Sequence, residues 1–198
     1  MSHLTPPRPW TPLTDLQWHA LLPYVLPRAP QGRRIADLRA RMDAIFHLAQ
    51  TAGDPWRCLP ARYGKPETIA RHFRRLTHAG LWHRLLEVLA RADLAPGHPL
   101  RQIEYAICRA TRRAARLGGM SLLLLIRRLG LRTALNGPPW LLPDPLLSET
   151  LARVLPGLLL RAETGLHTLR EGLRSARTLA ASAAGRRRIP RLVRLAWP

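Results

Sequence analysis

The side chains best suited to chemistry in this sequence are guanidinium groups that recur along one predicted helix, residues 66–78. Guanidinium groups bind phosphate oxygens and the edges of guanine bases. The polar residues expected on the outer side of this helix are Thr68, Arg71, Arg74, Arg75 and His78. Ile69, Phe73 and Leu76 recur at helical spacing on the other side and are expected to face a core. The pattern predicts a helix that enters the DNA major groove with its arginine face.

The residues that lead into this helix extend the same prediction. Pro66 suits a first helical position because no amide donor is needed there. Lys65 and Thr68 stand where free backbone amides help to hold a phosphate group. The preceding segment, residues 55–64, predicts a short turn of helix and a tight loop, so the whole unit resembles a helix–turn–helix.

Charge and composition favour a polyanionic partner. The chain has 198 residues, of which 32 are basic and 12 acidic, giving a formal net charge of +20. Such an excess indicates nucleic acid more often than an anionic membrane surface. Lys65 is the only lysine, and part of the bias towards arginine follows from GC-rich codons rather than from binding. With 46% hydrophobic residues, the chain can also form a substantial core.

Several other classes of protein are disfavoured. The two cysteines do not make a disulfide framework, and the N-terminus has no apolar stretch typical of a signal peptide. The longest apolar run, residues 120–126, is far shorter than the ~20 residues that span a membrane, so we expect a cytoplasmic bacterial protein. The histidines and cysteines lack metal-ligand spacing, and neither cysteine has a partner base. We therefore expect no metal, cofactor, catalytic residue or small-molecule substrate.

The organisation of the chain is predicted to be all-α. Residues 1–12 are expected to form a disordered arm, residues 13–95 a helix-turn-helix-type domain, residues 98–184 a second helical region, and residues 185–198 a basic tail. Ala95-Pro96-Gly97 is the predicted boundary between the helical regions. Trp18, Trp56 and Trp82 are expected to pack in the core, and Pro156 to kink or break the last long helix.

Further basic groups are weighed as secondary contacts to nucleic acid. Arg33 and Arg34 lie in a predicted loop, residues 28–36, that either follows the DNA backbone or is simply a flexible basic loop. A second helix face and the tail offer Arg109, Arg112, Arg113, Arg116, Arg186, Arg187 and Arg188. For the helix face, a solvated surface is an equally good interpretation. Each neutralised phosphate would raise non-specific affinity and its dependence on salt.

A pattern of positions across residues 13–89 resembles the N-terminal helical domain of bacterial insertion-sequence transposases of the fourth and fifth families. The positions that carry this resemblance include Leu13-Thr14-Asp15, Gln17-Trp18, Leu21-Leu22-Pro23, Gly32-Arg33-Arg34, Asp37-Leu38-Arg39, Trp56-Arg57, Leu59-Pro60, Tyr63-Gly64, Thr68, Arg71, Phe73-Arg74-Arg75, Gly80 and Trp82. The resemblance covers about two-fifths of the chain. It implies a helical domain that precedes a catalytic domain and helps to grip the DNA ends of the element.

The second half departs from that family. Full transposases of this group resemble ribonuclease H and use three carboxylates to hold two metal ions, since divalent cations need hard oxygen ligands. After residue 97 the acidic residues are Glu104, Asp144, Glu149, Glu163 and Glu171. None lies in a strand-like run, and Glu104, Glu163 and Glu171 are expected to form solvated ion pairs with arginines. The sequence therefore predicts a DNA-binding protein that lacks the catalytic carboxylates.

Three alternatives remain open at this point. The chain could be the leading reading frame of a two-frame transposase whose carboxylates come from a downstream frame. Its second half could be a frame-shifted remnant of GC-rich DNA. It could instead be an arginine-rich amphipathic protein that binds anionic membranes or a partner helix. The apolar stripe over residues 146–184 could form a homo-oligomer or lie on a membrane surface, but packing on the helix over residues 99–117 is the preferred interpretation.

Overall fold

The computed structural model describes residues 4–26, 37–51, 54–160, 166–185 and 189–197. This part of the chain is helical and contains no β-sheet, which confirms the predicted all-α class. It forms two compact units, residues 1–136 and residues 137–197. The predicted boundary at Ala95–Gly97 therefore falls inside the first unit, where the helices on both sides of it pack together.

The first unit contains six α-helices among its described residues. They are α1 (Asp15–Val25), α2 (Leu38–Gln50), α3 (Pro66–His78), α4 (Leu81–Leu89), α5 (Pro99–Gln102) and α6 (Glu104–Leu129). Short 3-10 turns lie at Trp56–Cys58, Ala61–Tyr63 and Arg132–Ala134. Helix α6 contacts α2, α3 and α4, so it is the central element on which the others pack.

Helix α1 begins with a capping box. The Thr14 hydroxyl accepts a hydrogen bond from the Gln17 amide at 3.3 Å, and the Gln17 side chain accepts one from the Thr14 amide at 3.0 Å. Two otherwise unpaired amides are thereby satisfied. Leu21 is buried in the core, whereas the Leu16 side chain is 74% exposed.

The segment before α1 contacts the helices of the first unit. The Thr5 amide donates to the Thr133 hydroxyl and the Thr5 hydroxyl donates to Glu104, both at 2.6 Å. The Trp10 ring lies 5.3 Å from the Phe46 ring. The sequence predicts a disordered arm over residues 1–12, whereas residues 4–12 have no regular secondary structure but make these polar and aromatic contacts.

Helix α6 is interrupted at a pair of glycines. Gly119 adopts φ 58° and ψ −150°, a conformation that a side chain would strain. A Cβ atom at Gly118 would lie only 2.8 Å from Cβ of Leu122, so this position also requires glycine. The two glycines thus allow a kink in α6 between its first half and its Leu-rich second half.

The second unit contains α7 (Pro145–Leu160), α8 (Leu166–Ala184) and α9 (Arg191–Ala196). Helices α7 and α8 pack side by side. The Asp144 amide donates to the Ala183 carbonyl at 2.7 Å, and this bond joins the start of α7 to the end of α8. Pro156 does not break α7, which continues to Leu160.

Candidate nucleic-acid interface

Helix α3 separates its two sets of side chains as its sequence periodicity predicts. Ile69, Phe73 and Leu76 are 2%, 3% and 7% exposed. The outward residues are exposed, namely Thr68, Arg71, Arg74, Arg75 and His78. Arg71 and Arg75 are one helical turn apart, which places both guanidinium groups on the same outward face. We call the five outward residues together the α3 face.

Aromatic packing holds the underside of α3 in place. The Phe73 ring lies 5.3 Å from the Trp56 ring and 5.5 Å from the Trp82 ring. The indole of Trp82 donates to the Thr77 hydroxyl at 2.8 Å, and that hydroxyl donates to the Phe73 carbonyl at 2.9 Å. Trp82 is 1% exposed, so the expectation that it packs in the core is confirmed. The α3 face therefore rests on a buried aromatic cluster.

The start of α3 is open to solvent. Lys65 is exposed at the N-cap position and makes no side-chain cap, and Pro66 occupies the first turn as predicted. Glu67 places an acidic group near the positive end of the helix dipole. Two 3-10 turns precede α3, where the sequence predicts a short turn of helix and a tight loop. The structure thus provides the exposed helix without establishing the helix–turn–helix detail.

The guanidinium groups of the α3 face have no protein partner within the described ranges. No hydrogen bond or ion pair joins Arg71, Arg74 or Arg75 to another side chain there. By contrast, Arg39 on α2 binds the Asp15 carboxylate at 2.6 Å. The three arginines of the α3 face are therefore available to an external anion.

The predicted second face on α6 has a different arrangement. Arg109 is only 9% exposed, and it donates to the carbonyls of Ala49 and Gln50 at 3.3 and 3.4 Å. Arg112 is half-buried and donates to the Thr133 carbonyl at 2.5 Å. Both arginines point into the fold, which corrects the expectation of an outward face, because they supply donors to backbone carbonyls there.

The other two arginines of that predicted face differ from each other. Arg113 is half-buried, donates to the Asp54 carbonyl at 2.8 Å, and lies over the Trp56 ring at 4.8 Å. Burial lowers the pKa of Arg113, and the carboxylate of Asp54 opposes this shift. Arg116 is exposed. Of the four predicted contacts on α6, Arg116 alone is fully accessible to a ligand.

Sequence reasoning missed a structural use of arginine in this fold. Arg109 binds the last carbonyls of α2, and Arg84 binds the carbonyl of Ala79, at the end of α3, at 2.6 Å. Arg101 donates to the Leu94 carbonyl at 3.1 Å in the loop after α4. Carbonyls at helix C-termini lack partners within the helix and favour a nearby cation. Part of the positive charge of this chain therefore stabilises helix ends.

The other predicted DNA contacts lie outside the described residues, and two of the acidic residues differ from their predicted roles. Arg33, Arg34, Arg186, Arg187 and Arg188 lie outside the described residues, as does Glu163. Glu104 is 5% exposed and pairs with Arg101 at 3.6 Å, so its predicted solvated ion pair is corrected to a buried one. Glu171 pairs with His167 at 3.8 Å, not with an arginine. In the described ranges no three metal-binding side chains come together.

His72 is a buried titratable group beneath the α3 face. It is 4% exposed, and neither ring nitrogen has a hydrogen-bond partner among the described residues. Burial, together with the charges of Arg41 and Arg75, lowers the pKa of His72 to about 4. The neutral imidazole therefore belongs to the folded state, and protonation favours the unfolded chain.

Acid is expected to destabilise the fold through His72. Because its folded pKa is about 4 and its unfolded pKa is near 6.5, the unfolded chain binds more protons between these values. The free energy of unfolding should fall as the pH is lowered through this range, by at most ~1.4 kcal/mol per pH unit from this group. Urea unfolding at a series of pH values measures this slope.

The variant His72→Leu serves as the comparison. Leucine fills the buried site with an apolar side chain that does not titrate. Burial also raises the pKa of Asp43, but that group is present in both proteins and cancels in the difference. The difference in unfolding free energy should therefore change with pH between about 4 and 6.5. A pH-independent difference would show that His72 is not held neutral in the fold.

Comparison with known proteins finds a match over the first part of the chain. A family model described as "Putative transposase of IS4/5 family (DUF4096)" matches residues 13–86, the range that contains α1 to the middle of α4. No curated protein and no solved structure matches the chain. Among the described residues, no helix has both the length and the apolar character needed to cross a bilayer. Residues 13–86 are therefore similar to the IS4/5 transposase family, which confirms the resemblance found in the sequence over this part of the chain.

Proposed function

We propose that this protein binds DNA through the α3 face as part of a transposition system related to the IS4/5 family. The observation that carries this proposal is the set of unpaired guanidinium groups exposed on one side of α3. The opposite side of α3 is buried against aromatic residues, so the guanidinium groups point outward. Arg109, Arg112 and Arg113 of the same unit donate instead to backbone carbonyls within the fold.

The dimensions of α3 suit a DNA groove. A helix with its side chains is about 10–12 Å across, and the major groove of B-DNA is about 12 Å wide. Arg71 and Arg75, separated by about 6 Å of helix rise, would contact base edges, because arginine pairs with guanine through two hydrogen bonds. Arg74 and His78 would contact the flanking phosphates.

The start of α3 would fix its position on the backbone. Lys65 and Thr68 are both exposed at the first turn of α3, where the positive end of the helix dipole favours a phosphate. Such phosphate contacts set the register of a protein on DNA, whereas base contacts supply sequence preference. Arg33, Arg34 and the arginines at 186–188 would add non-specific backbone contacts.

The proposed role is that of a DNA-gripping subunit in the cytoplasm, without strand cleavage by this chain. Cleavage would use carboxylates supplied by another reading frame or polypeptide. The support for this division is that α3 offers an anion-binding surface, while Glu104 is paired inside the fold. Sequencing the neighbouring reading frames tests it, since a downstream frame that encodes the three carboxylates is expected.

A salt titration of DNA binding tests the proposal directly. The full chain is titrated against a labelled duplex that carries the terminal repeats of the neighbouring element and against a scrambled duplex. Affinity should fall with salt by about 0.9 logarithmic units per logarithmic unit for each phosphate contacted, and the terminal-repeat duplex should bind more tightly. Absence of binding to both duplexes at low salt would refute DNA binding, and equal affinity for both would refute base contacts by α3.

A further inference from the structure

Helix α8 of the second unit carries a row of arginines that no role described so far explains. Arg170, Arg174 and Arg177 are four and three residues apart, so they lie on one face of the helix, and all three are exposed. In the described part of the chain their guanidinium groups have no hydrogen bond and no ion pair. We call this set the α8 row.

The nearest acidic group does not neutralise the α8 row. Glu171 lies on α8 itself, but its carboxylate lies 3.8 Å from Nε2 of His167, one turn earlier on the same helix, and forms no ion pair with an arginine of the described residues. Two exposed hydroxyls of α8 are also occupied, since Thr178 donates to the Arg174 carbonyl at 3.1 Å and Ser182 to the Thr178 carbonyl at 3.0 Å. The guanidinium groups are thus the strong donors that this side of the helix offers.

The opposite side of α8 is already covered by α7. Ala176 and Ala183 are 6% and 3% exposed, and Leu169 is half-buried, on the side that packs against α7. A helix that lies in a membrane interface needs a free apolar face to insert among the lipids. Leu173 and Leu179 are exposed, but their spacing places them about 120° apart around the helix, so they form no such face. This arrangement favours nucleic acid over a membrane as the polyanion.

We propose that the α8 row binds the phosphate backbone of nucleic acid as a second contact surface, independent of base sequence. From Arg170 to Arg177 the helix rises about 10 Å, a length along which one DNA strand presents about three phosphates. The inference rests on the proposed function only in taking DNA to be the ligand of this chain. The two proposed contact surfaces lie in different parts of the chain, because α8 belongs to the second unit and α3 to the first.

Repulsion within the α8 row gives the proposal a further consequence. Like charges one turn apart destabilise a helix, and a bound polyanion removes that repulsion. Replacing the arginines by glutamine should therefore leave the melting temperature of the free protein unchanged or slightly higher. A loss of binding in such a variant cannot then be attributed to unfolding.

The test compares two variants of the full chain that lose the same charge. The row variant carries Arg170→Gln, Arg174→Gln and Arg177→Gln. The control variant carries Arg91→Gln, Arg128→Gln and Arg132→Gln, three exposed arginines of the first unit that are not aligned on one helix. Each is titrated with salt between about 50 and 200 mM against a fluorescein-labelled duplex of mixed sequence and against the terminal-repeat duplex.

The row variant should lose about 2.7 units of the salt-dependence slope, since each phosphate contact contributes about 0.9. The loss should be equal on both duplexes, and the control variant should lose much less. If the row variant keeps the slope of the control while the wild-type chain binds DNA, this inference fails and the proposed function stands. If the row variant loses the slope but Arg71→Ala with Arg75→Ala does not weaken binding, the role of α3 fails instead.

Vesicles of phosphatidylserine and phosphatidylcholine provide the last comparison. The row and control variants, which lose the same charge, should bind them equally. Loss of vesicle binding in the row variant with unchanged DNA binding would overturn the proposal in favour of a membrane contact. A wild-type chain that binds neither duplex would overturn both proposals together.

Discussion

Replacing Arg71 and Arg75 together by alanine is expected to weaken binding to the terminal-repeat duplex by about 1–3 kcal/mol for each guanidinium that contacts a base. Both side chains are exposed on one face of α3, one turn apart, and neither is used by the fold. Their removal should also reduce the preference over a scrambled duplex, since base contacts carry that preference. Fluorescence anisotropy at fixed salt measures both affinities.

A matched variant separates this effect from a general loss of charge. Arg128→Ala with Arg132→Ala removes the same charge from exposed positions of the first unit, and its affinity should stay close to that of the wild-type chain. Alanine favours helix, so Arg71→Ala with Arg75→Ala should melt at the wild-type temperature. Equal affinity of the two double variants would show that α3 is not the surface that contacts bases.

The form of α3 could be predicted from sequence because its determinants are local. Pro66 fixes the start, and a left-handed Gly80 with φ 73° allows the sharp turn into α4. Between these residues the 3.6-residue period assigns each side chain to a face without knowledge of the rest of the fold. The exposed arginines and the buried Phe73 therefore follow from the sequence alone.

The orientation of the α6 arginines could not be predicted in the same way. A helix face with Arg109, Arg112 and Arg113 has the same spacing whether it meets solvent or the carbonyls at the end of α2. The sequence did contain one indication of burial. Between residues 105 and 111, apolar and small residues occur on every side of the helix and not on a single side. A helix with that pattern is central to a fold, and a guanidinium on it must find internal acceptors.

The position of the boundary between the units shows a second limit of local signals. Ala95-Pro96-Gly97 has the composition of a linker, and it does form a turn. Turn residues indicate where the chain changes direction, but the extent of a unit depends on what packs across the turn. Here α4 and α6, on opposite sides of that turn, bury Leu85, Leu86 and Ile107 in the same unit. The family match ends within α4, so the remainder of this unit extends beyond the matched range.

The stability of the first unit is expected to depend strongly on Trp82. Its ring is 1% exposed, packs on Phe73 and donates to Thr77, so the variant Trp82→Ala would leave a large cavity beneath α3. Substitutions of this kind cost about 3–5 kcal/mol. Urea unfolding followed by circular dichroism should show this loss of unfolding free energy.

Two further variants identify the cause of that loss. Trp82→Phe keeps an aromatic ring beside Phe73 but removes the indole donor and part of the ring volume, so it should cost more than the ~1 kcal/mol of a hydrogen bond and less than Trp82→Ala. Trp140→Ala makes the same change as Trp82→Ala at a residue that is 71% exposed, and its effect should lie within about 0.5 kcal/mol of zero. If Trp82→Ala were no more costly than Trp140→Ala, the aromatic cluster could not be what holds α3 in place. The arginines of the α3 face would then lack the rigid base that a groove-binding helix requires.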